Sequence, residues 1–89
     1  MDDLNLRIKK LITERLNLRI TPAEIPDEAP IFSSDNGGIG LDSIDALELA
    51  VSMEKTFGVG VPSSDVAGKA LRTVNTIHDY ILEKRSAAA

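Results

Sequence analysis

Leu4, Ile8, Leu11, Ile12 and Leu16 recur three and four positions apart, with Arg7, Lys9, Lys10 and Glu14 between them. That period predicts an amphipathic helix of about four turns, ending near Asn17. Asp2 and Asp3 stand where the positive end of its dipole favours carboxylates. Thr21-Pro22-Ala23-Glu24 then has the capping-box pattern, with proline at the favoured first helical position. Pro26 and Pro30 follow so closely that they limit this segment to a single turn. From there to Gly40 the chain reads as a long loop, with Ser33, Ser34, Asp35, Asn36, Gly37 and Gly38 as breakers. Ile25, Ile31, Phe32 and Ile39 are its expected anchors, and a loop this long in a small domain is expected to be functional or mobile.

A second helix opens at Asp42-Ser43-Ile44-Asp45, with Asp42 as N-cap and Asp45 positioned to favour the dipole, and Gly58 stops it after Phe57. Ala46, Leu49, Ala50, Met53 and Phe57 fall on one arc of about 100°, enough to seat the helix on a core. Asp45, Ser52 and Thr56 are expected to face water, nearly opposite that arc. Ile44, Leu47 and Val51 belong to neither group and share a flank with Ser43, Glu48 and Glu54. Two readings of that flank stand: a docking strip edged by acids, or a wide core arc packed against two neighbours. Further on, Ser63 or Ser64 caps a short turn holding Val66, Ala67 and Ala70, weakened by Gly68. Thr73 caps a last helix with a buried stripe of Val74, Ile77 and Ile81 and Tyr80 beside it, and residues 86–89 are expected to fray. The fold class is all-α: a small antiparallel four-helix bundle with a short third helix and a long loop between helices 1 and 2. It forms one domain over residues 1–89.

Composition narrows the function. A hydrophobic fraction of 43% suits a folded globule, and with 3% aromatic residues and no Trp the core is aliphatic. With no Cys there is no disulfide, thiolate metal site or cysteine nucleophile, and His78 alone gives a triad or metal site little to draw on. No apolar run approaches the roughly 20 residues of a membrane span and no signal-peptide pattern opens the chain, so a cytoplasmic protein is expected. Charge is uneven: residues 1–20 hold five basic and three acidic groups, residues 21–57 one basic and eight acidic, residues 58–89 four basic and three acidic. So acidic a middle disfavours nucleic acid and favours basic partner surfaces, although a solvated acidic face gives the same count.

Serine at a helix start is most often a cap with no other role. Asp35-Asn36-Gly37-Gly38 would need calcium ligands at Gly37, Ile39 and Ala46, which cannot supply them from their side chains, and there is no P-loop or zinc spacing. No acid–base or nucleophile constellation points to an enzyme. The wider pattern gives Ser43 a different meaning. Asp42-Ser43-Ile44 opening an acidic helix, with Asp45, Glu48-Leu49, Met53-Glu54, Phe57, Val61-Pro62, Thr73-Val74 and Asp79-Tyr80-Ile81 downstream, resembles the acyl carrier protein family.

The resemblance implies that Ser43 carries 4′-phosphopantetheine, transferred from coenzyme A by a separate transferase that supplies the base and metal. The arm's thiol would hold acyl groups as thioesters, which a chain without cysteine cannot do alone. It further implies a monomer without catalysis of its own, whose partners are a phosphopantetheinyl transferase and acyl-transferring and synthase enzymes with basic docking surfaces. Asp42, Ile44, Asp45, Leu47, Glu48, Val51 and Glu54 would meet them, and the cargo would shelter along Phe32, Ile39, Ala46, Ala50, Met53 and Leu71. Lys55 and Thr56, where relatives continue with acids, a longer loop between Phe32 and Ile39 and a longer segment after Pro62 suggest a specialised pathway. An aminoacyl or peptidyl carrier on an assembly line, and an unmodified helical adaptor, are the alternatives.

Overall fold

In the computed structural model, which describes residues 4–32 and 40–88, the chain forms α1 (Leu4–Arg15), α2 (Ser43–Phe57), α3 (Ser64–Ala70) and α4 (Val74–Ala88). A 3₁₀ turn, Pro22–Glu24, lies between α1 and α2, and no strand occurs among the described residues. The expectations for Asp2, Asp3, Ser33, Ser34, Asp35, Asn36, Gly37, Gly38 and Ile39 fall outside the described residues.

Local chemistry sets the helix ends. Past α1, Asn17 takes the left-handed conformation at φ 55°. This lets the Leu18 N–H reach the Thr13 carbonyl at 2.9 Å and the Asn17 N–H reach Glu14 at 3.4 Å, a Schellman closure. Gly58 closes α2 with the simpler αL motif, at φ 69°, its N–H donating to the Glu54 carbonyl at 3.0 Å. The Ser63 hydroxyl accepts from Val66 N–H at 3.2 Å and caps α3. Thr73 caps α4, accepting from Thr76 N–H at 3.1 Å while the Thr76 hydroxyl accepts from Thr73 N–H at 2.9 Å. The α4 helix extends to Ala88.

The helices share one core. Ile8 and Ile12 of α1, Leu49 and Met53 of α2, Leu71 at the end of α3, and Val74, Ile77 and Ile81 of α4 are fully buried. Each contributes roughly 1.5–3 kcal/mol of transfer free energy. In this small helical bundle α1 packs on both α2 and α4, and α3 packs on α4. Ile25 and Ile31 carry the described part of the loop into the same core, whereas Phe32 is half-buried.

Main-chain bonds tie the loop to the α3–α4 junction. Ile31 N–H donates to the Arg72 carbonyl at 2.9 Å, Leu41 N–H to the Ile31 carbonyl at 2.9 Å, and Asn75 N–H to the Asp27 carbonyl at 3.1 Å. The last satisfies an amide in the first turn of α4 that has no partner within its own helix. Lys9 Nζ meets the Asp27 carboxylate at 2.6 Å and joins α1 to the same stretch. The Tyr80 hydroxyl donates to the Gly60 carbonyl at 2.6 Å, fixing the α2–α3 connection against α4.

Gly58→Ala tests how much the α2 stop depends on conformation alone. A Cβ there would meet nothing within 4 Å, so the cost is backbone strain at positive φ. The expected loss is about 1–2 kcal/mol, seen as a lower urea midpoint with an unchanged m-value.

Candidate functional site

Ser43 is the first residue of α2, and its capping duties fall to its neighbours. Asp42 Oδ1 accepts from Asp45 N–H at 2.9 Å, and Asp45 Oδ2 accepts from Asp42 N–H at 3.1 Å. This reciprocal box requires acceptors at the N-cap and three residues on, the two positions the aspartates occupy. Asp42 also gives its carbonyl to Ala46 N–H at 3.0 Å. The exposed Ser43 hydroxyl and the N–H groups of Ser43 and Ile44 are left without partners among the described residues. Just upstream, Gly40 sits at φ 67°, a conformation that strains any residue with a Cβ. The turn into the helix therefore depends on glycine there.

Burial redraws the faces of α2. Ser52, expected in water, is buried at 6% exposure beside the fully buried Leu49 and Met53. At about 100° per residue it lies only about 60° from Leu49, so the core face runs from Ser52 through Leu49 to Met53. Asp45 is half-buried for the same reason, and of that trio only Thr56 is exposed. Ile44, Leu47 and Val51 lie opposite the core face, not on its flank, and are 71%, 67% and 46% exposed. The wide-core reading of these three therefore fails. Glu48 and Glu54 are exposed on the same outward side, as is Lys55.

A third face of α2 borders a cleft of about 880 Å³, a size typical of small-molecule sites. Ser43, Ala46, Leu47 and Ala50 line one wall at positions i, i+3, i+4 and i+7, and Ser43 stands at its N-terminal end. Ala46 and Ala50 are half-buried, and their small side chains leave the space that larger ones would fill. Phe32 and Leu41 from the loop side and Ala67 and Gly68 from α3 form much of the remainder. Of the lining expected from sequence, Phe32, Ala46 and Ala50 are present; Met53 and Leu71 are buried in the core and do not reach the cleft; Ile39 lies outside the described residues. Leu41, Ala67 and Arg72 were not foreseen as lining. Leu41, the apolar residue after Gly40, was the one with a local signal.

The family model described as "Phosphopantetheine attachment site" matches residues 6–81, from α1 to the buried Ile81 of α4. The chain belongs to the phosphopantetheine-attachment family. Members carry 4′-phosphopantetheine covalently and act as non-catalytic tethers that interact with phosphopantetheinyl transferases and synthase enzymes. The residues present fit such a group. The carrier offers a hydroxyl and first-turn amides without partners among the described residues, the positive end of a 15-residue helix beside them, and a largely apolar cleft alongside. The Asp42 and Asp45 carboxylates would repel a phosphate, but each is committed to a backbone amide of the capping box. No helix among the described residues of this carrier is long and apolar enough to cross a membrane, and no cluster of potential metal ligands occurs among them.

Replacing the cap separates its structural role from its charge. Asp42→Ala should destabilise the fold by about 1 kcal/mol, and Asp42→Asn, which keeps an acceptor oxygen, by only a few tenths. Urea unfolding of the two variants beside the parent reads the difference.

Proposed function

We propose that Ser43 is the attachment residue and that the protein is an acyl carrier, presenting acyl intermediates to enzymes of fatty-acid, lipid or polyketide-type synthesis. The single observation that carries this reading is a serine hydroxyl free of capping duty at the end of an apolar cleft. When bound, the phosphopantetheine supplies the thiol that holds acyl groups as thioesters. The chain's own contribution is positional. Ser43 offers its oxygen, the first turn of α2 favours negative charge beside it, and Phe32, Ala46 and Ala50 shelter apolar cargo from water.

Asp42, Ile44, Asp45, Leu47, Glu48, Val51 and Glu54 form the proposed partner surface. Three large apolar side chains standing in water, with acids on either side, are what a basic-rimmed apolar notch would cover. Leu47 belongs to both this surface and the cleft wall, so an enzyme seated on it lies next to Ser43. Lys55, exposed on the same side, moderates the acidic character and suits a dedicated pathway. We place the carrier in the cytoplasm as a monomer.

Incubation with coenzyme A and a promiscuous phosphopantetheinyl transferase should add one phosphopantetheine to the protein and none to Ser43→Ala, read by intact mass. A folded parent that stays unmodified while a control carrier is loaded would overturn the carrier reading and favour an unmodified adaptor. With a cognate synthase, association should slow as salt rises through the range where the Debye length falls below about 10 Å. Glu48→Lys should slow it several-fold at low salt and flatten that dependence in stopped-flow measurements. Rates indifferent to both would remove the acids from the docking surface.

A further inference from the structure

The cleft beside Ser43 contains one feature that sheltering a plain hydrocarbon does not need. Phe32, Leu41, Ala46, Ala50 and Ala67 make it apolar, yet its lining includes two charged residues, Asp42 and Arg72. The Asp42 carboxylate is occupied by the Asp45 amide. The exposed Arg72 guanidinium has no hydrogen bond, ion pair or ring contact among the described residues. Elsewhere Lys9 pairs with Asp27, and Arg7 and Lys84 lie over the rings of Phe57 and Tyr80.

The backbone of Arg72 is held firmly. Its carbonyl accepts from Ile31 N–H, and Ile31 in turn accepts from Leu41 N–H, two residues before Ser43. On either side of Arg72, the Thr76 hydroxyl donates to the Ala70 carbonyl at 2.8 Å and accepts from Thr73 N–H at 2.9 Å. The cation is thus carried on a braced junction within the same cleft as the serine. A guanidinium offers five donors in a planar fork suited to carboxylate or phosphate, and such bonds strengthen where apolar walls exclude water. The acids of residues 21–57 would oppose an anion entering the cleft. Arg72 is the lining residue that offsets them.

We infer that Arg72 binds an anionic oxygen group on whatever Ser43 carries. The inference rests on Ser43 being the attachment residue. Two sources share this chemistry: a carboxylate on a short carboxyacyl cargo, and the phosphate of the arm itself.

The test loads the apo protein with phosphopantetheine alone, with succinyl-phosphopantetheine and with butyryl-phosphopantetheine from the corresponding coenzyme A thioesters. Intact mass checks each product. The Arg72 Nε–Hε cross-peak and the melting temperature are then read for each form. A shifted, more slowly exchanging cross-peak in the succinyl form alone, with a rise in Tm over the butyryl form, assigns the cargo carboxylate. The same response on adding the arm alone assigns the phosphate. Arg72→Gln should lose the Tm difference and Arg72→Lys should keep part of it, with far-UV circular dichroism confirming that both are folded. A cross-peak unmoved in all three correctly loaded forms overturns the inference and leaves Ser43 as the attachment residue. Failure to load overturns both.

Discussion

Two main-chain hydrogen bonds at Ile31 decide the shape of this molecule around its serine. Through its N–H, Ile31 holds the carbonyl of Arg72 at the α3–α4 junction; through its own carbonyl, it holds Leu41 at the entrance to α2. Its side chain is fully buried, so the same residue anchors the loop by burial and by hydrogen bonding. Without this link a long connection would have to bring the first turn of α2 toward α3 against its own conformational entropy. With it, Phe32 and Leu41 on the loop side face Ala46 and Ala50 on α2, and the space between them becomes a cleft.

Three demands then fall on one helix of 15 residues. Leu49, Ser52 and Met53 seat α2 on the core, Ser43, Ala46 and Ala50 border the cleft, and Ile44, Leu47 and Val51 face outward. Exposed Ile, Leu and Val forgo the stabilisation that burial would bring, roughly 1.5–3 kcal/mol for each fully buried side chain. The narrow core face is compensated elsewhere, because α1 packs on both α2 and α4 and α4 supplies Val74, Ile77 and Ile81. The bundle therefore carries an outward apolar surface on α2 while its other helices maintain the core.

The helix ends were legible because capping is local chemistry. Asp42 with Asp45, Gly58, Ser63 and Thr73 each act on amides or carbonyls within a few residues, so the sequence contains both partners. The faces of α2 were less legible. Alanine reads as apolar whether it meets a core or borders a cleft, and Ala46 and Ala50 do the second. Ser52 reads as polar, yet its angular position beside Leu49 buries it. The loop contacts left no trace in side-chain pattern, since Ile31 and Arg72 meet through backbone atoms alone. For the same reason the side-chain pattern did not single out Arg72. Its place in the cleft follows from a bond to a residue 41 positions earlier.

What sets Ser43 apart from an ordinary helix-start serine is a division of labour. A serine at the N-cap spends its oxygen on an amide of the first turn, which orients it back toward the helix. Here Asp42 occupies that position and Asp45 completes the box from the other side, so the first turn is stabilised without the serine. Moving the hydroxyl one residue into the helix leaves it exposed, free of an internal partner among the described residues, and fixed in place by a backbone that the aspartates hold. The two carboxylates thus relieve Ser43, the proposed attachment residue, of capping. A hydroxyl that must be reached by a separate enzyme gains most from that arrangement, because rigidity and accessibility come from different side chains.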